Sequence, residues 1–354
     1  MTREPSFWWR APGAAARVLA PVSAVYGTVA RARLRQRGVR VATPVVCVGN
    51  PTVGGAGKTP TALTVARILK EAGERPVFLT RGHGGTLAGP IEVDPAHAHA
   101  AQVGDEPLLL ARVARTIVAR ARLAGAGRAA AGASVIVMDD GFQNPSLHKD
   151  FSLLVVDERR GIGNGRVVPG GPLRAPLAAQ LARAHALLLV GAPLRAGSVV
   201  EEARRHDLPV LRAHLRPDPK LIAALGRGRV LAFAGIGDPE KFFATLSDAG
   251  VAVAVTRSFP DHHRYTRAEA RALREEADRE GLMLVTTEKD LARLKGDEET
   301  AELVAHAQAL PVALVFEQEA AFKSLLLERI AAARERSATG AGSTAAGQAG
   351  CLRP

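Results

Sequence analysis

A glycine-rich octapeptide near residue 50 constrains the fold of this 354-residue chain more than any other feature. The apolar run at residues 45–48 precedes it, and a helix-length segment at residues 59–72 follows it. Its residues are Thr52, Val53, Gly54, Gly55, Ala56, Gly57, Lys58 and Thr59. Glycines between a strand and a helix let backbone N–H groups wrap an anion, which the helix N-terminus also favours. The stretch therefore predicts a phosphate-binding P-loop.

Two side chains of this loop indicate which ligand it takes. Lys58 is expected to reach the β- and γ-phosphates of a nucleoside triphosphate, and the Thr59 hydroxyl to bind Mg²⁺. The general pattern G-x-x-x-x-G-K-[ST] begins with glycine, whereas this chain has Thr52 there. The strand before the loop, the helix after it and the three glycines inside it outweigh this departure.

A pair of acidic residues closes a second apolar run. Residues 134–138 are followed at once by Asp139, Asp140 and Gly141. A P-loop enzyme needs an acidic residue at the end of a neighbouring strand to hold Mg²⁺, directly or through water. Two adjacent carboxylates also repel each other unless a cation lies near. The pair therefore predicts a magnesium site, with an acidic turn as the alternative.

Short apolar runs without polar alternation are separated by helix-length segments along most of the chain. This pattern predicts an α/β fold of the P-loop NTPase type, with a mostly parallel sheet flanked by helices. The predicted strands are residues 45–48, 76–80, 116–119, 134–138, 152–156, 186–190, 230–234, 251–256, 283–287 and 311–316. The predicted helices are residues 59–72, 106–115, 240–249, 266–280 and 320–334.

The length of the chain exceeds what one hydrophobic core usually sustains, so two domains are expected. Pro217-Asp218-Pro219 is a plausible boundary between them. We predict a P-loop domain over residues 41–218 and a second, smaller α/β domain over residues 219–336. Residues 337–354 are rich in Gly, Ala, Ser and Thr, which predicts a disordered tail.

The N-terminal 40 residues concentrate the positive charge of the protein. They hold eight arginines against Glu4, a net charge of +7 out of +12 for the whole chain. Trp8 and Trp9 precede an arginine-flanked apolar segment at residues 18–30, which is shorter than the ~18–20 apolar residues of a membrane span. We predict that residues 1–40 form a basic, membrane-associated interfacial helix. A helix packed on the protein's own surface and a cleaved signal peptide are the alternatives.

The class of nucleotide-binding protein depends on the residues around the loop. A common GTPase needs an Asn/Thr-Lys-x-Asp guanine reader, and the nearest string, residues 287–290, has the wrong spacing. A kinase needs a base near the acceptor hydroxyl, and Asp105 in Val-Gly-Asp-Glu-Pro is the candidate. Its alternative is an acid that caps a helix or lies in the first turn. A GTPase or metallochaperone and a non-catalytic, membrane-bound nucleotide sensor remain as rivals.

Several strings, in order from about residue 4 to 316, together resemble the tetraacyldisaccharide 4′-kinases of lipid A biosynthesis. Thr52 at the first loop position belongs to that family's pattern. Asn144, Pro145 and Ser146 depart from it, because the family commonly has His-Arg-Arg there. The strings that carry the resemblance are residues 49–60, 80–84, 103–107, 139–143, 163–166, 169–176, 234–237, 261–265 and 286–290.

The resemblance implies transfer of the γ-phosphate of ATP to the 4′-hydroxyl of a tetraacyldisaccharide 1-phosphate, which yields lipid IVA. It implies that Asp105 acts as the base, that His262 assists it and that Lys58 serves the phosphates. The Mg²⁺ candidates are Thr59, Glu106, Asp139 and Asp140.

The family's substrate also implies where the protein works. The lipid stays in the bacterial inner membrane while ATP is cytosolic, so we expect a peripheral or monotopic protein on the cytoplasmic face. Each arginine near anionic headgroups adds ~1 kcal/mol to such binding. Arg166 and Arg174 are candidates for the substrate's 1-phosphate, with ordinary surface arginines as the alternative. The expected partners are thus the acylated disaccharide lipid and the membrane surface, and no nucleic acid.

Overall fold

The computed structural model describes residues 4–192, 194–296 and 298–348, with the backbone alone from residue 340. The strands are β1 Val45–Gly49, β2 Pro76–Thr80, β3 Ile91–Glu92, β4 Thr116–Val118, β5 Val135–Asp139, β6 Phe151–Asp157, β7 Ala186–Val190, β8 Val210–Pro217, β9 Arg229–Ala234, β10 Ala252–Ser258, β11 Met283–Thr287, β12 Ala307–Leu310 and β13 Val312–Phe316.

Helices lie between most of these strands, and two 3₁₀ turns, Ser6–Trp9 and Glu298–Thr300, supplement them. The helices are α1 Ala14–Val18, α2 Ala20–Arg35, α3 Lys58–Glu71, α4 Ala100–Val103, α5 Asp105–Ala111, α6 Arg122–Ala130, α7 Leu177–Leu181, α8 Gly197–Arg205, α9 Pro219–Leu225, α10 Pro239–Asp248, α11 Arg267–Glu280, α12 Glu288–Leu294, α13 Ala301–His306 and α14 Glu319–Gln348.

Within the described residues, nine strands form one large sheet in the order β13-β8-β7-β6-β1-β5-β2-β4-β3. The strands pair in parallel except at the two edges, where β13 on β8 and β3 on β4 are antiparallel. One apolar layer packs α6, α7 and α8 on the sheet, and a second packs α3 and α14 on the opposite face. Because both faces are covered, strands such as β1 are buried throughout, and the predicted fold class is confirmed.

A second, smaller sheet has the order β10-β9-β11-β12 in the described residues, and all of its pairs are parallel. Residues of α11 and α13 cover one face, and residues of α9 and α10 cover the other. This sheet and its helices are called the small domain below, and the remainder is called the large domain.

The small domain is inserted between two neighbouring strands of the large sheet. Strand β8 ends at Pro217, and Val312 of β13 lies opposite that residue in the antiparallel register. After β13 the chain stays with the large domain, where Phe322 and Leu326 of α14 are buried against its sheet. Residues 312–336 were predicted to belong to the second domain and instead complete the first. Chain order alone did not reveal that the strand after residue 311 returns to pair with β8.

Most of the predicted helices and strands are present in the structure, and their ends lie within one or two residues of the predicted ones. The differences have local causes. Strand β8 was not predicted, because its sequence alternates apolar and basic residues and one of its faces is partly solvated. The short strands β3 and β12 were also missed. Helix α14 runs past the predicted end at residue 334 to Gln348. Residues 337–348 of the predicted tail are therefore helical, and residues 349–354 lie outside the described part.

The N-terminal segment contains the turn Ser6–Trp9 and the helices α1 and α2. Valines at positions 18, 22, 25 and 29 are more than half exposed, and their spacing of three or four residues aligns them along one stripe. We call these four residues the valine stripe. None of the described helices combines the length and apolar character that crossing a membrane requires.

Candidate active site

The phosphate-binding loop lies between the end of β1 and the start of α3. Gly54 and Gly57 have φ angles of 94° and 89°, in the left-handed region that favours glycine, and Gly57 is the N-cap of α3. The Asn50 amide donates to the carbonyl oxygen of Gly54 at 3.2 Å, and the Lys58 ammonium donates to the same oxygen at 3.4 Å. These contacts hold the turn that brings the N-terminus of α3 to the end of β1, and a helix N-terminus in this position favours an anion.

The two acids at the end of β5 have different electrostatic surroundings. The Thr59 hydroxyl donates to Asp139 at 3.3 Å, and burial, with the neighbouring carboxylates, raises the pKa of Asp139 to about 7. Asp140 bonds Arg174 at 3.0 Å and lies 3.9 Å from Lys58. Burial alone would raise the pKa of Asp140, but Lys58 and Arg174 outweigh burial and lower it to about 2. Asp139 is thus the acid that still lacks a compensating cation.

The proposed base and its partner come from different domains. Asp105 begins α5 in the large domain and is buried, and its Oδ1 lies 3.6 Å from Nδ1 of His262 in the small domain. The nearby carboxylate of Asp105 raises the pKa of His262. His262 has a φ of 57°, a left-handed conformation that non-glycine residues rarely adopt. Such strain is often found where the surrounding structure holds a functional residue in place.

Helix α12 of the small domain places two basic side chains beside Asp105 and Glu106. Lys289 Nζ lies 2.6 Å from Oε1 of Glu106, and Arg293 Nε lies 3.2 Å from Oδ2 of Asp105. Burial would favour the protonated carboxyl of Asp105, yet His262 and these cations hold its pKa well below the ordinary value. The two acids that open α5 are therefore paired with the small domain.

A second group of ion pairs joins the domains through the N-cap residue of α10, Asp238. Asp238 pairs with Arg159 and, at 3.0 Å, with Arg160, which both follow β6. Arg160 also bonds Glu4 at 2.9 Å, and Glu4 lies so close to Gly54 that a Cβ at this glycine would collide with its carboxylate. The N-terminal segment thus contacts the phosphate-binding loop directly.

Comparisons with known proteins identify the family of this chain. The family described as LpxK, Tetraacyldisaccharide-1-P 4'-kinase, matches residues 15–331. This chain belongs to that family. The resemblance inferred from the sequence motifs is thereby confirmed.

Individual members of the LpxK family are similar over nearly the whole chain. Tetraacyldisaccharide 4'-kinase of Rhodopseudomonas palustris (strain BisA53) is 54% identical over 335 residues, 94% of this chain and 98% of that protein. The protein of the same name from Nitrobacter hamburgensis is 52% identical over 332 residues, 94% of this chain and 99% of that protein. The crystal structure of LpxK from Aquifex aeolicus in complex with ATP has a TM-score of 0.68 at 26% identity, covering 89% of this chain and 99% of that one.

The residues of this LpxK family member can be tested against the Mg²⁺ that a kinase uses. Among the residues that the structure describes, no group of three His, Cys, Asp or Glu side chains is placed to hold a metal by itself. Mg²⁺ is usually held by one or two carboxylates together with waters and substrate phosphates. Asp139 fits this role best, because its Oδ1 is buried without a hydrogen-bond partner and Thr59 lies beside it. Glu106 and Asp140, also predicted as ligands, are paired with cations here.

The two arginines predicted to bind lipid lie in different surroundings. Arg174 donates to the carbonyl oxygen of Thr52 at 2.8 Å and pairs with Asp140, so it contacts the nucleotide loop. Arg166 instead lines a cavity of about 350 Å³ beside α2, together with Arg31. Its Nε is buried without a hydrogen-bond partner.

Sequence reasoning did not assign a role to Lys289 or Arg293. Residues 287–290 lack the spacing of a guanine reader, and residues 286–290 are one of the strings that resemble the family's signatures. The available signal was two basic residues four apart in the helix after β11, which lie on one face of that helix.

Proposed function

We propose that this LpxK family member transfers the γ-phosphate of ATP to the 4′-hydroxyl of a tetraacyldisaccharide 1-phosphate, forming lipid IVA. The observation that carries the proposal is the position of Asp105, which opens α5 in the large domain and meets His262 across the cleft. Family membership and the ATP complex of the similar Aquifex aeolicus protein support the choice of substrates.

Each residue of the site has a defined part in this reaction. The loop amides and Lys58 bind and orient the phosphates. Thr59 and Asp139 would hold Mg²⁺, which would neutralise the charge of the phosphates. The carboxylate of Asp105 accepts the proton of the 4′-hydroxyl as that oxygen bonds to the γ-phosphorus. The bond from the γ-phosphorus to the bridging oxygen breaks at the same time, and ADP leaves with its electron pair. His262 orients Asp105 and stabilises its charge.

The N-terminal segment supports a location at the cytoplasmic face of the inner membrane. The valine stripe offers apolar area to the acyl region, and the arginines around it attract anionic headgroups. The cavity with Arg31 and Arg166 lies beside this helix. Arg166 is therefore the better candidate for the 1-phosphate of the lipid, while Arg174 supports the loop and Asp140.

The proposal is tested by phosphoryl transfer from γ-labelled ATP to tetraacyldisaccharide 1-phosphate in detergent micelles. We expect wild-type protein to label the lipid and Asp105→Ala to lose about 100-fold or more of kcat, because a positioned base contributes 10²–10⁴-fold. Equilibrium binding of ATP should be unchanged in the variant. A wild-type protein that binds ATP but never labels the lipid would favour the nucleotide sensor and overturn the kinase proposal.

A further inference from the structure

Arg293 is buried where the small domain meets the large one, with 8% of its side chain exposed. Its Nη1 donates to the carbonyl oxygens of Gly235 at 2.8 Å and His263 at 3.2 Å, and its Nε donates to that of Lys289 at 3.3 Å. Its Nη2 lies 3.0 Å from Asp290. Contacts on every nitrogen fix the plane of the guanidinium, so its charge cannot swing away from the cleft.

This fixed charge lies against the proposed base. Nε of Arg293 is 3.2 Å from Oδ2 of Asp105, and this oxygen is buried without a hydrogen-bond partner. The Nε hydrogen points to the carbonyl of Lys289 instead. Arg293 therefore stabilises the carboxylate by charge alone, and Oδ2 keeps its lone pairs for an incoming proton.

The same guanidinium also holds the loop that carries His262. The backbone N–H of His262 donates to the carbonyl of Gly235 at 3.1 Å, and that carbonyl accepts from Arg293 as well. The carbonyl of the next residue, His263, is the second acceptor of Arg293. Because His262 has a left-handed backbone, these bonds stabilise a conformation that would otherwise relax.

We propose that Arg293 is a positioning residue that aligns both members of the Asp105–His262 pair, an inference that rests on the proposed function. Its guanidinium lies 3.2 Å from Oδ2 of Asp105, and its two carbonyl contacts hold the His262 loop against that carboxylate. The neighbouring Lys289–Glu106 pair keeps α12 on α5 independently, so the loss of Arg293 misaligns the pair without separating the domains.

The test compares Arg293→Met and Arg293→Lys with wild type in the lipid-labelling assay. We expect Arg293→Met to lower kcat about 100-fold with the KM for ATP unchanged within about threefold, because misplaced groups slow the chemical step. Arg293→Lys should have a kcat about tenfold higher than Arg293→Met, since lysine keeps the charge but its single nitrogen cannot contact Asp105, Asp290 and both carbonyls together.

Arg274→Met is the matched control, because Arg274 pairs with Glu302 within the small domain. We expect it to keep kcat within about twofold of wild type, as removal of a surface ion pair has little effect. ATP-binding stoichiometry and the melting temperature are measured for every variant. The inference is overturned if Arg293→Met keeps wild-type kcat, or if both Arg293 variants lose activity only in proportion to a lost ATP-binding fraction. A wild type that never labels the lipid overturns the proposed function and this inference together.

Discussion

Among single residues, Asp105 is the one on which the proposed site depends most, because residues of both domains surround it. Its backbone lies in the large domain, while its carboxylate meets His262 and Arg293 from the small one. A carboxylate held by two cations is a weak base until the substrate hydroxyl displaces or shares them. We therefore expect the reaction proposed for Asp105 to be sensitive to small changes in the backbone that carries it.

Gly104, the residue before Asp105, offers a test of that sensitivity. Its φ is 94°, and a Cβ there would come within 2.5 Å of the carbonyl oxygen of His83. We expect Gly104→Ala to cost on the order of 2 kcal/mol in the free energy of unfolding and to lower kcat more than about tenfold. Gly127→Ala is the control, because Gly127 lies in α6 with open space around its Cα. Denaturant unfolding should show Gly127→Ala neutral or more stable by about 0.5–1 kcal/mol. Equal free energies of unfolding for the two variants would show that a side chain at position 104 causes no backbone strain.

His185 provides a pH test away from the site. Its Nδ1 accepts from the Ser152 N–H at 3.0 Å, and burial, with Arg329 nearby, lowers its pKa to about 4. The unfolded chain therefore binds a proton at this histidine more readily than the folded chain does. The stability that the neutral ring contributes is complete above about pH 6.5 and is lost as the pH falls towards 4.

Between pH 7 and 4.5, wild type should lose about 2 kcal/mol more of its unfolding free energy than His185→Leu. Urea unfolding of both proteins at the two pH values measures the difference. Identical losses would show that the ring titrates normally in the folded protein.

At the scale of elements, the N-terminal helices combine an exposed apolar stripe with a dense set of arginines. We expect the double variant Val22→Asp with Val25→Asp to weaken binding to vesicles of phosphatidylethanolamine and phosphatidylglycerol at least about 30-fold, because two buried valines contribute roughly 3 kcal/mol. Leu194→Asp is the control, since Leu194 is 69% exposed and lies outside this segment. Vesicle sedimentation measures the effect. Equal binding of both variants would place the contact elsewhere.

The elements also show how much the sequence could predict. Strands buried on both faces carry continuous apolar runs, so β1, β2, β7 and β11 were predicted to within a residue at each end. The loop, the acid pair at the end of β5 and Asp105 could be predicted as site candidates, because each belongs to a short local sequence motif. The contacts of Arg293 with Asp105 and with the carbonyls beside His262 join segments distant in sequence. No local pattern encodes such contacts, so only the folded chain reveals them.

At the scale of the whole molecule, every described residue of the nucleotide loop and of the acid pair lies in the large domain. The small domain supplies His262, Lys289 and Arg293. Ion pairs at Asp238 and at α12 hold the two domains together. The loop proposed to bind phosphate and the residues that contact Asp105 from the other domain therefore belong to separate sheets.

Because β8 and β13 are neighbours, the small domain is connected to the large domain as a separate module. Pro217 lies opposite Val312, so both covalent ends of the small domain leave the large one at a single point. A short turn between these two residues would close the large sheet into an uninterrupted fold, with α14 still covering it. The small domain thus has the form of an insertion at one edge of the large sheet, with both of its connections at the same turn.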